Sequence, residues 1–134
     1  MAEIEAIGRV LALAEWTGAR VHIAHHSAAD SLFVLRAAKL RGVDVTVETC
    51  PQYLLLNTND MLRLGGILRV NPPVREKRNQ EPLFAALGDG TIDLIATDHA
   101  PHASYEKEVE FTEVPPGMLG LEFALHMRPR TVPT

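Results

Sequence analysis

The chain has 134 residues, 46% of them hydrophobic and 22% charged, with a formal net charge of −4. That length allows one domain with a real core, roughly half the size of a closed (β/α)8 barrel, and the acidic balance excludes an electrostatic footprint for nucleic acid or an anionic membrane. The lone cysteine, Cys50, excludes an intrachain disulfide; no apolar run suits a membrane helix and no signal pattern follows Met1, so a cytoplasmic location is expected.

Residues 3–17 place Ile4, Ile7, Val10, Leu11, Leu13 and Ala14 near helical spacing, with Gly18 as the stop. Val21–His25 reads as a short strand. Ser27 or Asp30 is positioned to cap a second helix built on Leu32, Phe33, Leu35, Ala38 and Leu40, which Gly42 ends. Val43–Thr49 is rich in β-branched residues and predicts another strand. Pro51 interrupts it, and Leu54–Leu56 opens an irregular region through Gly65-Gly66. Ile67–Val70 reads as extended, Glu76–Leu87 as a helix that tolerates Pro82 in its first turns, and Ile92–Thr97 as the last strand. A loop through Pro115-Pro116-Gly117 then leads to a helix start at Leu119–Leu125. Helices alternating with strands predict an α/β fold with a parallel sheet and right-handed crossovers. Three strands do not close a barrel, so the pattern suits either a small open sandwich or a slice of a larger barrel. Residues 1–127 are expected to form the domain and 128–134 a frayed tail.

Chemistry concentrates at strand ends. The run Ile92–Ala96 is followed by Thr97-Asp98-His99-Ala100-Pro101-His102, and Val21–Ala24 by His25-His26-Ser27. Two strands that deliver ligand-type side chains at the same end point to metal-assisted hydrolysis. His25 suits a metal ligand; a hydrogen-bonded histidine at a sheet edge is the alternative. Strand alternation puts His22 on the opposite face from His25, which leaves His22 a structural role. Asp98 emerges from an apolar strand and needs a partner, either a metal site or a turn that it caps. His102 lies on the loop above the same mouth, as a substrate contact or a solvated residue. In Asn71-Pro72-Pro73-Val74-Arg75 the prolines hold the Asn71 amide at a fixed place, suited to an amide edge or simply to a rigid corner. Cys50 has no base nearby in sequence and reads as a buried thiol.

In order, His25-His26-Ser27, Glu48-Thr49-Cys50-Pro51-Gln52-Tyr53-Leu54, Asn71-Pro72-Pro73-Val74-Arg75 and Asp98-His99-Ala100-Pro101-His102 resemble the cyclic amidohydrolases. That family includes dihydroorotase, allantoinase and hydantoinase/dihydropyrimidinase. The resemblance covers roughly residues 5–125 and corresponds to about strands six to eight of a (β/α)8 TIM barrel of the metal-dependent hydrolase type. It implies a binuclear zinc centre, with His25 as a ligand to one metal and Asp98 as a ligand to the other and the catalytic proton shuttle. It also implies that Asn71, His102 and the Pro116-Gly117 loop contact the substrate ring. Asn-Pro-Pro and Asp-His-Ala-Pro-His resemble dihydroorotase, whereas Gln52 stands where dihydroorotases commonly carry histidine and resembles hydantoinases and allantoinases. The family's His-x-His pair, bridging lysine or acidic substitute, and further histidine have no matching position here.

The expectation is therefore a fragment of a zinc-dependent cyclic amidohydrolase, dihydroorotase-like, acting on a small cyclic amide or ureide. The complete protein is expected to be a homo-oligomer with no nucleic-acid or membrane partner, and the isolated chain inactive. Allantoinase or hydantoinase activity is one alternative; a non-catalytic barrel relative acting as an assembly subunit is another. A half-barrel with two open sheet edges is also expected to be poorly stable alone.

Overall fold

The computed structural model describes residues 2–124; the expected tail at 128–134 lies outside them. Helix α1 spans Ala2–Thr17, and its buried side chains Ile7, Leu11 and Ala14 follow one helical face. Val10 and Leu13, which share the apolar spacing, are exposed. Gly18, at φ +71°, ends the helix, its N–H donating a hydrogen bond to the Ala14 carbonyl.

Strand β1 is Val21–Ile23, two residues shorter than expected, because His25 has φ +41° and cannot continue an extended chain. Helix α2, Leu32–Leu40, is entered through a 3₁₀ turn at Ala29–Ser31. Neither Ser27 nor Asp30 caps it. The Ser27 hydroxyl donates to Glu3, and the N-cap position, Ser31, makes no side-chain cap bond.

Strand β2, Val45–Thr49, buries Val45, Val47 and Thr49 against the helices and leaves Thr46 and Glu48 on the other face. The expected irregular stretch after it is helical instead. Pro51 opens helix α3, Pro51–Leu55, at the first helical position, where its missing N–H costs nothing. Helix α4, Thr58–Leu64, is capped by Asn57, whose side chain accepts from the Asn59 amide while Asp60 accepts from the Asn57 amide. Gly65–Leu68 is a 3₁₀ turn rather than part of an extended piece.

Helix α5, Gln80–Gly88, accommodates Pro82 in its first turn as expected. Strand β3 is only Leu94–Ile95. Asp93 anchors it: the Val47 amide donates to its carboxylate at 2.7 Å, and Lys39 Nζ at 2.8 and 2.9 Å. Two short helices follow, α6 at Ser104–Lys107 and α7 at Leu121–Ala124.

The sheet is parallel throughout, in the order β1-β2-β3, with Val21 opposite Val45 and Glu48 opposite Leu94. Leu35, Ala38, Val47, Leu83 and Ala86 are sealed between sheet and helices. Sequential parallel strands with helices on one side form a slice of a barrel, and all three strands point their C-terminal ends the same way. Among the described residues β1 and β3 pair only with β2, so each keeps an open edge.

Candidate active site

The chain after β1 is held in a conformation that few L-residues adopt. His25 sits at φ +41°, a region that costs a non-glycine residue on the order of 1 kcal/mol or more unless its surroundings impose it. Here they do. The His25 amide donates to Glu48 Oε1 at 3.2 Å, and the His26 amide to the Glu48 carbonyl at 2.8 Å. The other Glu48 oxygen is 3.0 Å from His22 Nε2, and His22 Nδ1 is 2.8 Å from Thr46 Oγ1. β1 stops at Ile23, and the Glu48 carboxylate takes the His22 ring on one oxygen and the His25 backbone amide on the other. His25 Nδ1 is buried without a hydrogen-bond partner. Glu48 escaped sequence reasoning; its signal was its place on the polar face of β2, at the strand's C-terminal end.

Behind His25, Glu3 ties three segments together. Its carboxylate accepts from the Ser27 amide (2.8 Å) and hydroxyl (2.5 Å), the Ala28 amide (3.0 Å) and Arg75 Nη2 (2.8 Å). Burial by itself raises the Glu3 pKa, but the bonds from Ser27, Arg75 and Ala28 outweigh it and hold the carboxyl below its ordinary value. A carboxylate depressed in the folded state stabilises the protein above its unfolded pKa, and that stability is lost as pH falls through the folded value. In Glu3→Gln, thermal stability at neutral pH is expected to fall, and its gap to the parent to narrow as pH drops below 4.5, the unfolded value. A gap that stays constant from neutrality to acid, read by thermal melts across pH, contradicts this linkage. His26, buried beside this network, has its pKa lowered chiefly by desolvation and is neutral at pH 7.

Asp98 follows β3 and is the second non-glycine residue with positive φ, +48°. Its side chain is exposed at the mouth. Cys50, at the end of β2, is fully buried, and burial first, then the charges of Asp98 and Glu48, push its thiol up to about 12. A thiol so protonated at neutral pH is no nucleophile, as expected. Tyr53 is raised likewise, mainly by burial, and its hydroxyl donates to the Pro72 carbonyl at 2.8 Å. That contact places the Asn71-Pro72 corner beside helix α3, with Asn71 itself exposed. Pro72 also lines a cleft of about 390 Å³ with His25, His26 and Arg75.

His102, Pro116 and Gly117 come together. His102 Nε2 is 3.2 Å from the Pro116 carbonyl, so Nε2 carries the proton of the neutral ring. Gly117, at φ +139°, lies where a Cβ would come within 2.9 Å of His102 Nε2. His99 Nδ1 accepts from the Gly120 and Leu121 amides at 3.1 and 3.3 Å, which folds the following loop back over the β3 end. His102 also faces a largely apolar cavity of about 670 Å³, whose lining includes Gln52, Leu55, Ile67 and Met118.

The donor set fits a metal only in part. The unpartnered Nδ1 of His25 and the exposed Asp98 carboxylate, each at a strained strand end, are suitable ligands. Among the described residues, however, no three His, Cys, Asp or Glu side chains gather to hold one ion. These residues can contribute single ligands to a centre that other side chains must complete.

No protein-family model matches the chain. Dihydroorotase from Syntrophobacter fumaroxidans is 48% identical over 124 residues, covering 92% of this chain and 28% of that enzyme. The dihydroorotase of Mycobacterium tuberculosis is 47% identical over 131 residues, covering 98% of this chain and 30% of the enzyme. Among solved structures, dihydropyrimidinase from Brevibacillus agri superposes with a TM-score of 0.85 at 36% identity, covering 90% of this chain and 28% of that one. L-Hydantoinase from Arthrobacter aurescens gives 0.84 at 33% identity, covering 97% and 31%. The chain thus spans somewhat under a third of the length of the relatives it matches.

Proposed function

We propose, from the premise that this chain belongs to the cyclic amidohydrolase family and supplies a segment of its (β/α)8 barrel, that the complete protein opens a cyclic amide in the manner of a dihydroorotase. The observation that carries the reading is the pair His25 and Asp98, each held at positive φ just beyond the C-terminal ends of β1 and β3. Strain of that kind persists where a side chain must be aimed.

In this reading His25 holds one metal and Asp98 the other, in a binuclear zinc site finished by residues outside this chain. Zinc, when bound, lowers the pKa of a water towards neutrality and polarises the ring carbonyl. Asp98 accepts the proton of the attacking water and delivers it to the ring nitrogen as the carbon–nitrogen bond breaks, leaving an open-chain carboxylate. Asn71 and His102 hold the ring's polar edge, and the Pro116-Gly117 backbone covers it. Glu48 and Glu3 keep the His25 turn in place. The protein works in the cytoplasm as a homo-oligomer on this reading; among the described residues no helix is long and apolar enough to cross a membrane.

Gln52, with the fold likeness to hydantoinases, favours a second reading in which the substrate is a hydantoin or dihydropyrimidine. A panel of dihydroorotate, hydantoin, dihydrouracil and allantoin, offered to the complete protein, separates the two. Preference for dihydroorotate supports the first reading; turnover of rings that lack the carboxylate, with dihydroorotate ignored, overturns it.

A further inference from the structure

The segment 108–118 folds back over the β3 end with little regular structure of its own, yet its carbonyls converge on two cations. Lys107 Nζ donates to Pro115 O at 2.8 Å, Gly117 O at 2.5 Å and Arg69 O at 3.5 Å, which uses all three of its protons. Arg69 Nη1 faces Phe111 O at 2.8 Å, Thr112 O at 2.7 Å and Val114 O, and its guanidinium lies 5.8 Å over the Phe111 ring. The Gly117 amide returns a bond to Arg69 O at 2.9 Å. Gly66, where a Cβ would come within 2.6 Å of the Lys107 carbonyl, lets the two segments of the clamp approach.

The two gripped carbonyls of Pro115 and Gly117 flank Pro116, whose own carbonyl takes His102 Nε2. Glu106 does not compete for the ring: its Oε2 is 3.8 Å from His102 Nδ1 and instead accepts the Ala103 amide at 2.7 Å. We propose that Lys107 and Arg69 are positioning residues that fix the Pro116 carbonyl and, through it, the orientation and tautomer of His102 at the substrate site. Burial, then the neighbouring Arg69 charge, lowers the Lys107 pKa, with the Glu106 carboxylate acting the other way. The assignment of His102 to the substrate rests on the hydrolase reading; the clamp itself does not.

The test is made in the complete protein with Lys107→Met and, as an independent variant, Arg69→Gln. Nitrogen chemical shifts of the His102 ring, recorded where it is neutral, report its tautomer, and hydrogen exchange reports the Gly117 amide. Each variant is expected to convert a single Nε2–H form into a mixture and to speed Gly117 exchange by about tenfold or more, as loss of a charge-assisted bond implies. Lys107→Arg is expected to restore part of both. KM for the cyclic amide is expected to rise more than kcat falls. An unchanged tautomer and unchanged Gly117 protection in whichever variant folds overturns the clamp. A shifted tautomer in a protein whose parent hydrolyses no cyclic amide leaves the clamp standing and removes the hydrolase reading.

Discussion

Asp98→Ala, made in the complete protein, is expected to lower kcat by about a thousandfold or more, the scale of a lost proton shuttle combined with a damaged metal site. The side chain lies just beyond the end of β3, exposed and at φ +48°, and is the carboxylate that follows this strand at the mouth. Asp98→Asn keeps the volume and a ligating oxygen but cannot accept the proton, so it is expected to retain more metal than the alanine variant while remaining as slow. Steady-state rates on the preferred ring, with metal content measured on the same samples, decide the matter. Retention of more than a few per cent of activity by either variant refutes the role given to Asp98.

Leu35→Ala is expected to cost about 2–5 kcal/mol of stability, the range for a buried leucine whose cavity only partly collapses. Leu35 has no exposed surface and belongs to the cluster with Val47 and Leu83 between sheet and helices, where rigid elements leave little room to relax. Leu40→Ala, at the end of the same helix but 88% exposed, is expected to stay within about 0.5 kcal/mol of the parent. Denaturant midpoints measured on both variants give the comparison. Equal losses contradict this placement of the core.

The order of helices and strands could be read from the sequence because each core element carries a strong local signal. Ile7, Leu11 and Ala14 repeat on a helical face, and the β-branched run at 45–49 alternates. Strand lengths could not. β1 stops at Ile23 although β2 runs on to Thr49, because the chain turns to positive φ at His25, and β3 holds only Leu94-Ile95, opposite the last two residues of β2, whatever the propensity of the flanking residues. Helix α4 lacked a periodic signal because none of its residues is buried; its Asn57-Asp60 capping box was the cue. Pro51 suggests a break because proline interrupts strands, yet the same missing N–H makes it a good first helical residue.

The candidate site divides the same way. His25, Asp98 and His102 stand out because polar, ligand-type residues follow apolar runs. Glu48 and Glu3 do not, since their roles are contacts across 23 and 24 residues of chain that no local pattern encodes. The clamp of Lys107 and Arg69 is equally invisible, because its acceptors are backbone carbonyls with no residue signature.

The most direct test of the account is the metal content of the complete protein and of its His25→Ala variant, each purified without chelator and dialysed against metal-free buffer. About two metal ions per chain are expected in the parent, as a binuclear hydrolytic centre requires, and loss of close to one of them in the variant, with the fold retained. A parent that binds no transition metal, or a variant that holds as much as the parent, would contradict the claim that this segment brings a ligand to the centre.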